Sequence, residues 1–136
     1  MRRWRIVRTV SVVIAAVALA AGCSGGSGAP TVKVALTEFK IAPDPTSVKS
    51  GDVTFDVTND GTTEHEMVLI KTDEAPADLP MENGEASEDG SVGEVADLAA
   101  GSSGTLKVQL DPGTYVMICN LPGHYTSGMR TAFTVS

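Results

Sequence analysis

Apolar side chains recur at every second position in three separate stretches of this chain. Val32, Val34 and Leu36 alternate with Thr31, Lys33 and Ala35; Val53, Phe55 and Val57 with Thr54, Asp56 and Thr58; Leu106, Val108 and Leu110 with Thr105, Lys107 and Gln109. Successive side chains of an extended strand point to opposite faces, so this rhythm predicts strands with one face in a core and the other in water. A helix would need its apolar stripe to repeat about every 3.6 residues. Three further runs, 64–71, 114–119 and 130–135, are apolar or mixed on both faces. Turn residues punctuate the runs: Pro43-Asp44-Pro45, Ser50-Gly51-Asp52, Asn59-Asp60-Gly61, Asp111-Pro112-Gly113 and Pro122-Gly123. Many short strands joined by tight turns predict an all-β sandwich or barrel.

Residues 72–104 break the rhythm. They hold Asp73, Glu74, Asp78, Glu82, Glu85, Glu88, Asp89, Glu94 and Asp97 with no Lys or Arg, and Pro76, Pro80, Gly84, Gly90 and Gly93 argue against a long helix. The stretch is expected to be a long acidic loop, either a solvated excursion or a docking surface for a basic partner.

The beginning of the chain has a different character. Arg2, Arg3, Arg5 and Arg8 precede an apolar run, 10–21, interrupted only by Ser11. Basic-then-apolar is the layout of a secretory signal, and the run is shorter than the ~20 residues a membrane-spanning helix needs. Leu19-Ala20-Ala21-Gly22-Cys23 resembles a bacterial lipobox, in which the Cys is lipidated and becomes the new N-terminus. The expected organisation is therefore a signal peptide over 1–22, a lipidated Cys23 with a flexible Gly/Ser tether to residue 30, and one domain over 31–136. A disulfide between Cys23 and Cys119, the only two cysteines, is the alternative use of Cys23.

Cleavage before Cys23 would leave six basic residues against seventeen acids, a net charge of −11. Nucleic acid is excluded as a partner, because phosphate binding needs clustered Lys and Arg. Electrostatic attachment to anionic lipid is excluded for the same reason, so the membrane is reached through the lipid on Cys23. The protein is expected to be an exported monomer, anchored to the cell membrane on its extracytoplasmic (periplasmic) side.

The chemistry concentrates in Tyr115-Val-Met-Ile-Cys119-Asn-Leu-Pro-Gly-His124-Tyr-Thr-Ser-Gly-Met129, where a predicted strand delivers a Cys into a turn carrying His and Met. A fourth donor, His65, opens the run His65-Glu-Met-Val-Leu-Ile70 on the same strand face as Met67 and Leu69. Taken singly, each has an ordinary reading: a core His, a packing Met, a buried Cys. Together they include both histidines of the chain. One thiolate, two imidazoles and one thioether form a soft set suited to copper in both oxidation states, and a His, His, Cys trigon with a long axial Met is the pattern of a blue-copper electron-transfer site. Zinc is the rival metal, but its structural sites take four Cys or His ligands.

On these residues the chain resembles the cupredoxin family of type 1 copper proteins, over about 31–136. The Cys, four residues, His, four residues, Met spacing is most similar to that of rusticyanin and auracyanin, and differs from the tighter loop of plastocyanin. The resemblance implies a Greek-key β-sandwich or barrel of seven or eight strands, with one type 1 copper ion held by His65, Cys119, His124 and Met129. Glu66 stands where many relatives have Asn, whose side chain braces the ligand loop. Glu66, Asn120 and Leu121 are thus the candidates for contacts around the ligands.

The expected function is one-electron transfer with transient redox partner proteins at the outer face of a bacterial membrane, the electron leaving through His124. Leu121, Pro122 and Tyr125 are expected to form an apolar ring around that edge. Copper handling, as homeostasis or delivery, is the alternative, with Met81 as a transient ligand. Catalysis is not expected: two His are too few for a copper oxidase or nitrite reductase, and no third group orients Cys119 and His124 as a nucleophilic pair.

Overall fold

The computed structural model describes residues 28–136; the expected signal peptide, Cys23 and most of the tether lie outside the described residues. The described chain forms strands β1 (Thr31–Thr37), β2 (Lys40–Asp44), β3 (Ser47–Val48), β4 (Gly51–Asn59), β5 (His65–Lys71), β6 (Met81–Glu82), β7 (Glu85–Ala86), β8 (Ser91–Leu98), β9 (Ser103–Leu110), β10 (Gly113–Ile118) and β11 (Arg130–Val135). Eight of these are five residues or longer, against an expected seven or eight, and no helix occurs among the described residues.

One sheet has the order β2-β1-β4-β9 and the other β3-β11-β10-β5-β8, while β6 and β7 form a separate hairpin. β1 runs parallel to β4, and β5 lies antiparallel between β8 and β10. Spatial neighbours are thus often not neighbours in sequence, the ordering expected of a Greek key.

The alternating residues meet between the sheets. Val32, Val34, Leu36, Val53, Phe55 and Val57 face Met67, Leu69, Tyr115, Met117 and Phe133 in one core, with the Phe55 and Phe133 rings edge-to-face at 5.5 Å. Cys119 and Met129 belong to this core, so the predicted ligand loop closes one end of it.

The doubly apolar runs have a separate cause. Val68, Ile70, Val116 and Ile118 point to the outer face of the second sheet, where Leu79, Ala86 and Tyr125 cover them in a second core. Residues 72–104 are accordingly not one loop, contrary to expectation. They supply Leu79 and Ala86 of this cover, and then pair as β8 with β5. A bulge breaks the alternation of this strand: His65 and Met67, two apart, pair with Leu98 and Val95, three apart, so Val95 and Leu98 both turn inward despite their odd spacing. The nine acids of the segment remain exposed. A smaller correction concerns Pro43-Asp44-Pro45, where β2 continues through Asp44 and the chain bends only afterwards.

Candidate metal centre

His65 is the first residue of β5 and is fully buried. Cys119 follows the last residue of β10, also fully buried, and the chain then turns through 121–128 before Met129 leads into β11. Pro122-Gly123 suits this reversal, since Gly123 takes φ of +81°, a conformation that a Cβ disfavours. The loop is tied to itself. Met129 N–H donates to His124 C=O at 3.1 Å, Cys119 N–H to Met129 C=O at 3.1 Å, and His124 N–H to Leu121 C=O at 2.9 Å. Three ligand candidates are thereby held by one another's backbone.

Their donor atoms converge. His124 Nδ1 lies 3.3 Å from Cys119 Sγ and 3.3 Å from His65 Nδ1, and one donor atom from each of the three residues falls within 4.8 Å of the others. Met129 is fully buried in the same core cluster as Cys119. Two imidazole nitrogens and a sulfur at these separations could bond a single ion between them without moving a strand. The donor chemistry fits one type 1 copper ion, and the thioether makes it a poor zinc set.

Electrostatics follow from burial. Removal from water pushes the Cys119 thiol up from its ordinary value; the N–H groups of Glu66 and Leu121 oppose this, and the Glu66 carboxylate adds to it. His124 is shifted down by burial first and by neighbouring His65 second. Both shifts favour the uncharged form, the thiol of Cys119 and the neutral imidazole of His124.

Each flanking candidate has a defined contact. Glu66 N–H points at Cys119 Sγ at 3.5 Å, and Glu66 Oε1 accepts Asn120 N–H at 3.0 Å. The carboxylate therefore ties the start of β5 to the ligand loop through the Asn120 N–H. Asn120 exchanges hydrogen bonds with both backbone groups of Ala86, at 2.9 Å each, and donates to Glu88 Oε1 at 2.8 Å. It fastens the acidic hairpin to the ligand loop. Leu121 packs against the main core beside Cys119.

The expected apolar ring requires one correction. Tyr125 is only 4% exposed, with its hydroxyl donating to Pro76 C=O at 2.7 Å and accepting Leu79 N–H at 3.2 Å. It faces the second core and cannot edge His124. The aromatic neighbour of His124 is instead Phe39, which is 43% exposed and meets the imidazole edge-on at 5.3 Å between centroids. Phe39 and its predecessor Glu38, both on the turn between β1 and β2, are the site residues that sequence reasoning missed. No motif spacing marks them; only the pairing of β1 with β4 brings that turn to the ligand end.

Comparison with known proteins agrees with this architecture. The Cupredoxin-like domain family matches residues 9–132. Sodium-dithionite-reduced auracyanin from the photosynthetic bacterium Roseiflexus castenholzii superposes with a TM-score of 0.60 at 27% identity, over 82% of this chain and 99% of that one. Rusticyanin from Thiobacillus ferrooxidans, at 22% identity, shares the fold with a TM-score of 0.58 over 81% of this chain and 79% of that one. Among curated proteins, Auracyanin-B of Chloroflexus aurantiacus is 48% identical over 40 residues, 29% of this chain and 17% of that protein's length. The family match, the all-β fold and the convergent His, Cys, His donors lead to one conclusion: this chain belongs to the cupredoxin family.

Proposed function

We propose that this protein is a one-electron carrier holding a single type 1 copper ion through His65, Cys119, His124 and Met129, and that a lipid on Cys23 anchors it at the outer face of a bacterial membrane. The observation that carries the reading is the convergence of one donor atom each from His65, at the start of β5, and from Cys119 and His124, on a backbone-tied loop. Copper bound there supplies one-electron redox chemistry.

The protein's own part is positional. Cys119 gives up its proton to ligate, and the N–H groups of Glu66 and Leu121 stabilise negative charge on its sulfur. Strand β5 fixes His65, and the Glu66–Asn120 hydrogen bond restrains the loop that carries the other donors. Donors held this way shift little between oxidation states, so little reorganisation opposes electron movement. His124, only partly buried and beside exposed Phe39, gives the site an edge at which a partner protein can dock briefly. Burial of Cys119 and His65 supports retention of the ion over its delivery.

The test is to add Cu(II) to the purified protein and record its visible spectrum. An intense thiolate-to-copper band that vanishes in Cys119→Ser is expected; a colourless copper complex, or preference for zinc, would overturn the reading. Met129→Leu is expected to keep the colour and raise the reduction potential, since it removes a weak axial donor. Cys23→Ser is expected to move the protein from the membrane fraction to the soluble fraction.

A further inference from the structure

His65 has two ring nitrogens, and only one can serve a metal. Its Nδ1 faces His124 Nδ1 at 3.3 Å, on the side of the Cys119 sulfur. Its Nε2 points the opposite way, to Glu38 Oε1, also at 3.3 Å. The ring is fully buried, so water offers Nε2 no substitute for that partner.

The same carboxylate oxygen is held from the other side. Thr62 N–H donates to it at 2.7 Å and Thr63 N–H at 2.9 Å, with the two hydroxyls at 3.4 and 3.2 Å. Those amides are aimed by buried Asn59, whose Oδ1 accepts Gly61 N–H at 2.9 Å and whose amide donates to Thr63 C=O at 2.8 Å and Leu98 C=O at 2.7 Å. Gly61 makes room for the arrangement: a Cβ there would lie 2.6 Å from Glu38 Oε1 and 3.0 Å from His65 Nε2. A loop of β4 and a turn of β1 thus meet on the far side of one ligand candidate.

We propose that Glu38 is a positioning residue that accepts the Nε2–H of His65, fixing the tautomer in which Nδ1 carries the lone pair toward His124 and Cys119. A carboxylate so placed also enriches the imidazole in electron density, which favours the oxidised, more positive state of an ion bound at Nδ1 and lowers its reduction potential. The inference rests on the metal-site reading, but its first consequence is legible without metal.

The experiment uses the full chain with 15N-labelled histidine, metal-free and at mildly alkaline pH. Long-range proton–nitrogen correlation is expected to show His65 as the Nε2–H tautomer. Glu38→Ala is expected to yield a mixture of tautomers or the Nδ1–H form, and Glu38→Gln, whose amide oxygen still accepts, to retain Nε2–H. Gly61→Ala is expected to behave like Glu38→Ala. On the copper-loaded chain, Glu38→Gln should raise the potential by about 59 mV, corresponding to a tenfold change in the ratio of oxidised- to reduced-state affinity. The Nδ1–H tautomer in the native chain, an unchanged tautomer in folded Glu38→Ala, or an unmoved potential in Glu38→Gln would overturn the proposal. If Glu38→Ala does not fold, the native tautomer and the Glu38→Gln potential decide. A native chain with the Nε2–H tautomer that fails to take up copper would sink the electron-carrier reading while leaving the positioning role standing.

Discussion

Glu38 and Glu66 flank the same histidine, and their carboxyls are shifted in opposite directions. The N–H groups of Thr62 and Thr63 hold Glu38 down at about 2, whereas burial, aided by Glu88, Glu94 and Asp97, raises Glu66 above its ordinary 4.5 despite the Asn120 N–H. The signs follow by linkage. The folded chain holds the Glu38 proton less tightly than the unfolded chain, so the Glu38 contribution is complete above pH 4.5 and is lost as pH falls toward 2. The folded chain holds the Glu66 proton more tightly, so that contribution is present below pH 4.5 and declines as pH rises through the elevated value. Urea unfolding of the metal-free protein across pH should show both slopes. Glu38→Gln is expected to remove the acid-side loss, and Glu66→Gln the decline above pH 4.5. Cys119 adds a third dependence: its raised thiol must lose a proton to ligate, so copper uptake should tighten with rising pH.

The elements divide into those that carry ligands and those that hold the carriers. Strands β5, β10 and β11 bring His65, Cys119 and Met129 to one end of the sandwich through their mutual pairing. The acidic segment holds them from outside. Its Leu79 and Ala86 cover Val68, Ile70, Val116 and Ile118, while Tyr125 and Asn120 reach from the ligand loop to pin it. Tyr125→Phe removes the partner of Leu79 N–H and Pro76 C=O and should cost about 1–3 kcal/mol. Hydrogen exchange should then quicken at the Leu79 and Ala86 amides while those of β4 and β9 keep their protection. Equal quickening throughout would mean that the cover and the sandwich open as one unit.

The whole molecule is an apolar sandwich inside an acidic shell, with six basic residues against seventeen acids over 28–136. Such a field should draw cationic redox reagents to the copper-loaded protein and repel anionic ones. Raising ionic strength is therefore expected to slow oxidation by a cationic cobalt complex and to speed it with an anionic one; rates indifferent to salt would show that the charge lies too far from the exit edge. Phe55→Ala, which opens a hole at the edge-to-face contact with Phe133, is expected to cost 3–5 kcal/mol by denaturant unfolding. Much of this was legible in the sequence, because strand periodicity and ligand spacing are local: Val32, Val34 and Leu36 announce their strand, and Cys119, His124 and Met129 lie within one turn of chain. Strand β8 was illegible, since its bulge is defined only against β5. So were Glu38 and Phe39, which stand 27 and 85 residues from the histidines they touch. The amino-acid order by itself determined the class of fold and the four donor candidates. Only the tertiary structure decided what surrounds them, because a contact between distant segments depends on which strands pair and in what register, and no short-range pattern encodes it.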